Sequence, residues 1–227
     1  MNYLKPNWPA PKHIKAYTTL RSGWTARNQG ESLEKLLNLP EEPMWLQQTH
    51  SNIVLEATPQ NKDAVGDASF TATPNRVCIA LTADCLPVLM TNKQGTRVAA
   101  IHAGWRGLAA GIIEETLKAM NQPAEDLLIW LGPAIGPKKF EVGQDVYDAF
   151  TSKQAESKSA FIPYTQGKWL ASLYELAKMR LLSQGVTHIY GGDFCTYSQE
   201  DLFFSFRRDK SKKGNMANVI WIEESVS

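Results

Sequence analysis

The stretch "VCIALTADCLPVLMTNKQGTRVAAIH" holds three apolar runs in close succession: Val77–Thr82, Leu86–Thr91 and Arg97–His102. Each has the length and composition of a strand, and only short turn-forming segments separate them. Strands that follow one another without a helix between them are not joined by βαβ crossovers, which disfavours a doubly wound parallel sheet. Further strands are expected at Met44–Thr49, Ile53–Ala57, Leu127–Leu131, His188–Tyr190, Leu202–Phe206 and Val219–Ile222. Helical spacing of apolar residues predicts helices over 31–38, 106–120, 143–152 and 168–184, the last ending at Gly185. The expected class is α+β with mixed sheets. No repeat, low-complexity block or linker interrupts the chain, so one compact domain over 1–227 is expected.

Composition narrows the function. With 227 residues, 43% apolar and 21% charged, the chain can bury a sizeable core. A net charge of +1, and no basic stripe beyond Arg207-Arg208 and Lys210–Lys213, argues against a nucleic-acid partner. No signal-like or membrane-spanning apolar segment is present. Three cysteines, odd in number and far apart, do not suggest a disulfide framework. The expectation is a cytoplasmic monomer acting on a small molecule, away from membranes.

The chemistry-bearing residues start with the pair Asp84-Cys85 in "TADCLPVL". A carboxylate close to a thiol raises its pKa, whereas a nearby cation lowers it and a coordinated metal deprotonates it. The chain has four histidines, and two sit next to strand candidates: His50 in "WLQQTHSNIV" and His102 in "VAAIHAGWRG". His50, Cys85 and His102 would make a three-ligand zinc site with one position open for water. Their spacing matches no compact metal signature, so a buried Cys85 and a core His102 stand as alternatives. Arg106, at the start of the helix after "HAGW", is a candidate for holding an anion. Cys195, in "GGDFCTYS", is a thiol near a turn, and Cys78 reads as core. Asp84 and Glu141 are candidates for a general acid only because they lie near the motifs.

Taken together, "WLQQTHSNIV", "LTADCLPVLM", "VAAIHAGWRGLAAGIIEET", "WLGPAIGPKKFEVGQDV", "GGDFCTYS" and "FFSFRRDK" resemble the peptidoglycan editing factor family. That family is also known as the laccase-like multicopper polyphenol oxidase family or a purine nucleoside phosphorylase family. The resemblance implies two β-sheets packed face to face between helices, in four layers α/β/β/α, built from a duplicated βαββ-type unit. It implies His50, Cys85 and His102 as both metal ligands and catalytic residues. It also implies zinc, with copper as the other metal. The implied activities are phosphorolysis of adenosine, inosine and methylthioadenosine with phosphate, and deamination of adenosine. The alternative is an amidase that removes misincorporated serine from a peptidoglycan precursor. Copper-dependent phenol oxidation ranks last, because four histidines are too few for a cluster of several coppers. Arg21 keeps the arginine of a family stretch and is a candidate substrate contact. The chain departs from the family in "SGWTARNQG", in Ser172 where an aspartate is common, and in Asn215 where an arginine is common.

Overall fold

A computed structural model describes residues 2–24, 32–210 and 214–224. Most of "SGWTARNQG" and Ser211–Lys213 of the basic run lie outside the described residues.

Among the described residues, thirteen strands and six α-helices form in chain order. They are β1 (Tyr3–Leu4), β2 (Ile14–Thr19), α1 (Leu33–Leu37), β3 (Val54–Glu56), β4 (Ala68–Thr71), β5 (Cys78–Thr82), β6 (Leu86–Asn92) and β7 (Val98–Ala103). There follow α2 (Trp105–Ala110), α3 (Ile112–Met120), β8 (Leu127–Leu131), β9 (Glu141–Val142), α4 (Gln144–Thr151), β10 (Phe161–Pro163) and β11 (Trp169–Ala171). The chain closes with α5 (Leu173–Ser183), β12 (His188–Gly191), α6 (Phe206–Asp209) and β13 (Met216–Ile222).

The strands make three sheets. One has the order β12-β8-β6-β7-β4-β3, the second β1-β2-β13-β5, and the third β10-β11-β9. The six-stranded sheet is mixed, with a parallel pair at each edge. The four-stranded sheet is antiparallel throughout, and the small third sheet was not expected.

Strand alternation assigns each face. From β6 and β7, Val88, Met90, Ala99 and Ile101 point to the side where Leu108, Ile112, Ile113, Leu176 and Leu181 of the helices pack. Leu89, Val98, Ala100 and Trp130 point the other way, onto Cys78, Ala80, Ile220 and Ile222 of the four-stranded sheet. The far side of that sheet, through Val77, Ile79, Val219 and Trp221, is covered by Leu33 and Leu37 of α1. The layers therefore run helix, sheet, sheet, helices. Cys78 is fully buried between the sheets, as core.

Local departures from expectation have identifiable causes. The predicted 106–120 helix breaks in two at Gly111, whose φ of 98° no α-helix accepts. The predicted 168–184 helix starts only at Leu173, where the Ser172 hydroxyl caps it by accepting from Glu175 N. Residues Trp169–Ala171 pair as a strand instead. The predicted strand 44–49 is reduced to isolated bridges at Met44 and Gln47. There the Gln48 side chain takes over strand pairing, donating to Leu81 O and accepting from Leu81 N. The predicted strand 202–206 is a turn leading into α6, with Ser205 as its N-cap. The strands β1, β2, β4, β9, β10 and β11 were not expected.

A buried polar cluster lies between the sheets, centred on Asn218. Asn218 of β13 is fully buried; it accepts from Thr18 Oγ1 at 2.7 Å and donates to Ala80 O and Thr82 Oγ1, both at 3.0 Å. Asn218→Ala leaves three buried groups on the two neighbouring strands, β2 and β5, without their partner and is expected to lower unfolding free energy by about 3 kcal/mol in denaturant titration.

Candidate active site

The chain crosses from the four-stranded sheet to the six-stranded sheet between β5 and β6, through Ala83-Asp84-Cys85. The crossing needs a left-handed step, and Asp84 supplies it with φ 88°; aspartate tolerates that region better than most residues. Its carboxylate does not face the thiol as a free charge. Oδ1 accepts from Thr196 Oγ1 at 2.6 Å, and Oδ2 accepts from Ser205 Oγ at 3.0 Å and Arg207 N at 2.7 Å. Asp84 therefore ties the crossing to the α6 region, with all three donors already in place. Glu141, the other general-acid candidate, is exposed on β9.

Cys85 leaves this crossing at the start of β6. His102 sits at the end of β7, on the side that faces the other sheet, and is 4% exposed. His50 comes from the loop before β3, held in a left-handed backbone with φ 64°. Three segments far apart in sequence thus converge. Among the described residues, one ligand atom from each of His50, Cys85 and His102 lies within 4.8 Å of the other two. His50 Nε2 is 3.6 Å from Cys85 Sγ, and the two imidazoles meet edge to face at 4.7 Å between centroids. Ligand atoms on a tetrahedral zinc lie about 3.3–3.7 Å apart, so the sulfur and two nitrogens fit one ion with small adjustments. Gly104 makes the approach feasible: a Cβ there would lie 2.5 Å from His50 Cδ2 and 3.1 Å from Cys85 Sγ.

Behind the trio lies Asp67, which the sequence reading missed. It is 2% exposed, just before β4. Its carboxylate is 2.8 Å from His102 Nδ1 and accepts from the backbone N–H groups of Thr49, His50 and Ser51 and from the Ser51 hydroxyl. Burial alone would raise its pKa. The bonds from His102 and Ser51 outweigh that and hold it far below the ordinary carboxylate range. Its only sequence signal is an acid leading into an apolar strand, in "GDASF".

The same contacts tune the trio. Burial would raise the Cys85 thiol, but hydrogen bonds and charge from His102 and His50 bring it down to about 7. Burial would lower His102, but Asp67 and Cys85 raise it to about 9. Without a metal, the pair is therefore biased toward thiolate and imidazolium.

The trio forms part of the wall of a cavity of about 610 Å³, within the usual range for small-molecule sites. Trp105, Phe140 and Phe206 give it aromatic surface, and Arg106 and Arg207 bring two guanidinium groups. Arg106 lies 4.3 Å above the Trp105 ring. Arg207 is held by two bonds to Glu141 O at 3.1 Å, 5.8 Å from the Phe140 ring centroid. Asn215, one of the departures from the family pattern, also lines the cavity. Arg21 does not: it pairs with Glu200 and Asp209 at 3.7 and 3.6 Å. Arg208 is likewise occupied, by Asp209 and by the carbonyls of Thr196, Tyr197 and Phe203. Cys195 lines a separate cavity of about 360 Å³, where Gly136 N donates to its sulfur. The remaining histidines lie elsewhere, His13 beside Gly95 O and His188 in β12.

The family model described as multi-copper polyphenol oxidoreductase laccase matches residues 25–223. The chain belongs to this laccase-like family. A Pseudomonas aeruginosa relative named purine nucleoside phosphorylase is 42% identical, over 98% of this chain and 99% of its own length. An Escherichia coli relative with the same activity in its name is 45% identical over 96% and 98%. The crystal structure of a Neisseria meningitidis protein superposes with a TM-score of 0.91 at 39% identity, covering 99% of this chain and all of that one. A Geobacillus stearothermophilus structure, at 23% identity and a TM-score of 0.86, shares the fold. Within this laccase-like family member, no helix among the described residues is long and apolar enough to cross a membrane.

Thiol reactivity checks the geometry. In metal-free protein, iodoacetamide is expected to label Cys85 with a midpoint near pH 7, the value its neighbours impose. Cys78, pushed up to about 12 by burial, is expected to stay unlabelled at that pH. Zinc added before the reagent should protect Cys85 and leave Cys195 labelling unchanged, as read by peptide mass spectrometry. Gly104→Ala should remove the zinc protection while the protein stays folded.

Proposed function

We propose that this chain is a zinc-dependent purine nucleoside enzyme. On this reading it cleaves adenosine, inosine and methylthioadenosine with phosphate, and deaminates adenosine. His50, Cys85 and His102 serve as metal ligands and catalytic residues. The observation that carries the reading is the convergence of one thiol and two imidazoles in the wall of a nucleoside-sized cavity. The names of relatives above 40% identity over nearly their whole length add support.

The donor set favours zinc, which takes thiolate and imidazole ligands together and leaves a fourth position open when only three come from the protein. Bound zinc would supply a Lewis acid and lower the pKa of a water at that position to about 7. A cluster of several coppers has too few histidines here, since His13 and His188 lie away from the trio.

The remaining chemistry falls to the chain's own side chains. The rings of Trp105, Phe140 and Phe206 offer flat apolar surface to a purine. Arg207, oriented by Glu141 O, and Arg106, laid over Trp105, present charge to phosphate. In phosphorolysis a phosphate oxygen bonds to the anomeric carbon of the sugar. The carbon–nitrogen bond to the base breaks, and the purine leaves with that electron pair and takes up a proton. In deamination, oxygen from water replaces the exocyclic amine, which leaves as ammonia. Arg21 would act on substrate only indirectly, through the Glu200 and Asp209 side chains it pairs with.

Purified protein incubated with inosine and phosphate should yield hypoxanthine and ribose 1-phosphate by mass spectrometry. Cys85→Ala and His102→Ala should abolish both products. Arg207→Ala should raise the KM for phosphate about tenfold, the loss of one charge-assisted contact, with a smaller change for nucleoside. Turnover of a peptidoglycan precursor, with none of any nucleoside, would replace this reading by the amidase one.

A further inference from the structure

We propose that Asp67 is the positioning residue of the trio, a single buried carboxylate that fixes the ring tautomer of His102 and the place of His50. This rests on the reading that the trio holds a metal.

The two carboxylate oxygens divide the task. Oδ1 accepts from His50 N at 2.9 Å and lies 2.8 Å from His102 Nδ1. Oδ2 accepts from Ser51 N at 2.7 Å, Ser51 Oγ at 2.6 Å and Thr49 N at 3.2 Å. An ionised carboxylate only accepts, so Nδ1 keeps its proton, and the nitrogen that gives up its proton to offer a lone pair to a metal is Nε2. The Asp67 carbonyl also accepts from His102 N at 2.7 Å, so the residue grips His102 through side chain and backbone alike. At the other side, three consecutive N–H groups converge on the carboxylate and hold His50 in its left-handed backbone. A single residue thus sets the relation between two ligands that are 52 positions apart in the chain.

The isosteric amide separates this role from packing. In Asp67→Asn one end of the group becomes a donor. Turned toward Ser51 and Thr49, that end meets two backbone N–H groups. Turned toward His102, it forces the ring proton onto Nε2, where it blocks the lone pair a metal needs.

Cobalt titration followed by its thiolate charge-transfer absorption reads the consequence directly. Wild-type protein is expected to take one equivalent, and Asp67→Asn to bind Co²⁺ about 10–100-fold more weakly, with circular dichroism confirming that it is folded. Ring-nitrogen NMR of zinc-loaded wild-type protein should find the His102 proton on Nδ1 and none on Nε2, a readout that stands even if the variant does not fold. Folded Asp67→Asn with wild-type cobalt affinity overturns the proposal, as does a His102 proton on Nε2. Wild-type protein that takes up no cobalt sinks the metal reading as well, whereas normal wild-type uptake with an unaffected variant sinks only the role of Asp67.

Discussion

The arrangement depends on one buried negative charge. Burying a carboxylate costs several kcal/mol, and a hydrogen bond to a charged group returns about 1.5–3 kcal/mol. The five donors on Asp67 therefore outweigh the desolvation and leave it ionised. The same five bonds join the loop before β3 to the end of β7, so the charge that is hardest to bury is also the one that brings two imidazoles together.

The fold explains why the trio lies where it does. Two sheets packed face to face share an apolar interlayer built from Leu89, Ala100, Cys78 and Ile220. At the edge of that interlayer the chain has to pass from one sheet to the other, and Asp84-Cys85 is the passage. Asp84 uses its charge for structure, with donors from Thr196, Ser205 and Arg207. This leaves Cys85 under the influence of the imidazoles and not of the neighbouring carboxylate. Gly104 closes the ring of constraints, since any side chain there would occupy the space between His50 and Cys85. Asp84, Cys85 and Gly104 are adjacent in function because the layer boundary makes them adjacent in space.

Long apolar runs were legible in the sequence: β5, β6, β7 and β8 lie within a residue or two of their expected positions, because a strand inside a layered core has little choice of residue. Strands with polar residues among the apolar ones, or lying beside a helical pattern, were harder to read. Ile14–Thr19 carries Lys15 among its apolar residues, and Trp169–Ala171 reads as the start of a helix until Ser172 caps the real one. Residue type and strand-end position offered the trio only beside a core reading of Cys85 and His102, since residues 35 and 17 positions apart carry no local signal of meeting, and the family motifs singled it out. Asp67 stayed hidden for the same reason: its donors come from 16–18 and 35 residues away, and one aspartate among many acids looks like a surface charge. Ser172, a departure from the family pattern, has a plain use as a helix cap, whereas Asn215 changes the wall of the cavity itself.

The central claim is that one sulfur and two imidazole nitrogens from distant segments grip a single ion. X-ray absorption at the zinc K edge of protein loaded with one equivalent measures this most directly. The account predicts one sulfur scatterer at about 2.3 Å and two imidazole nitrogens at about 2.0 Å, with a lighter ligand completing the shell. A shell without sulfur, or with fewer than two imidazoles, would contradict it.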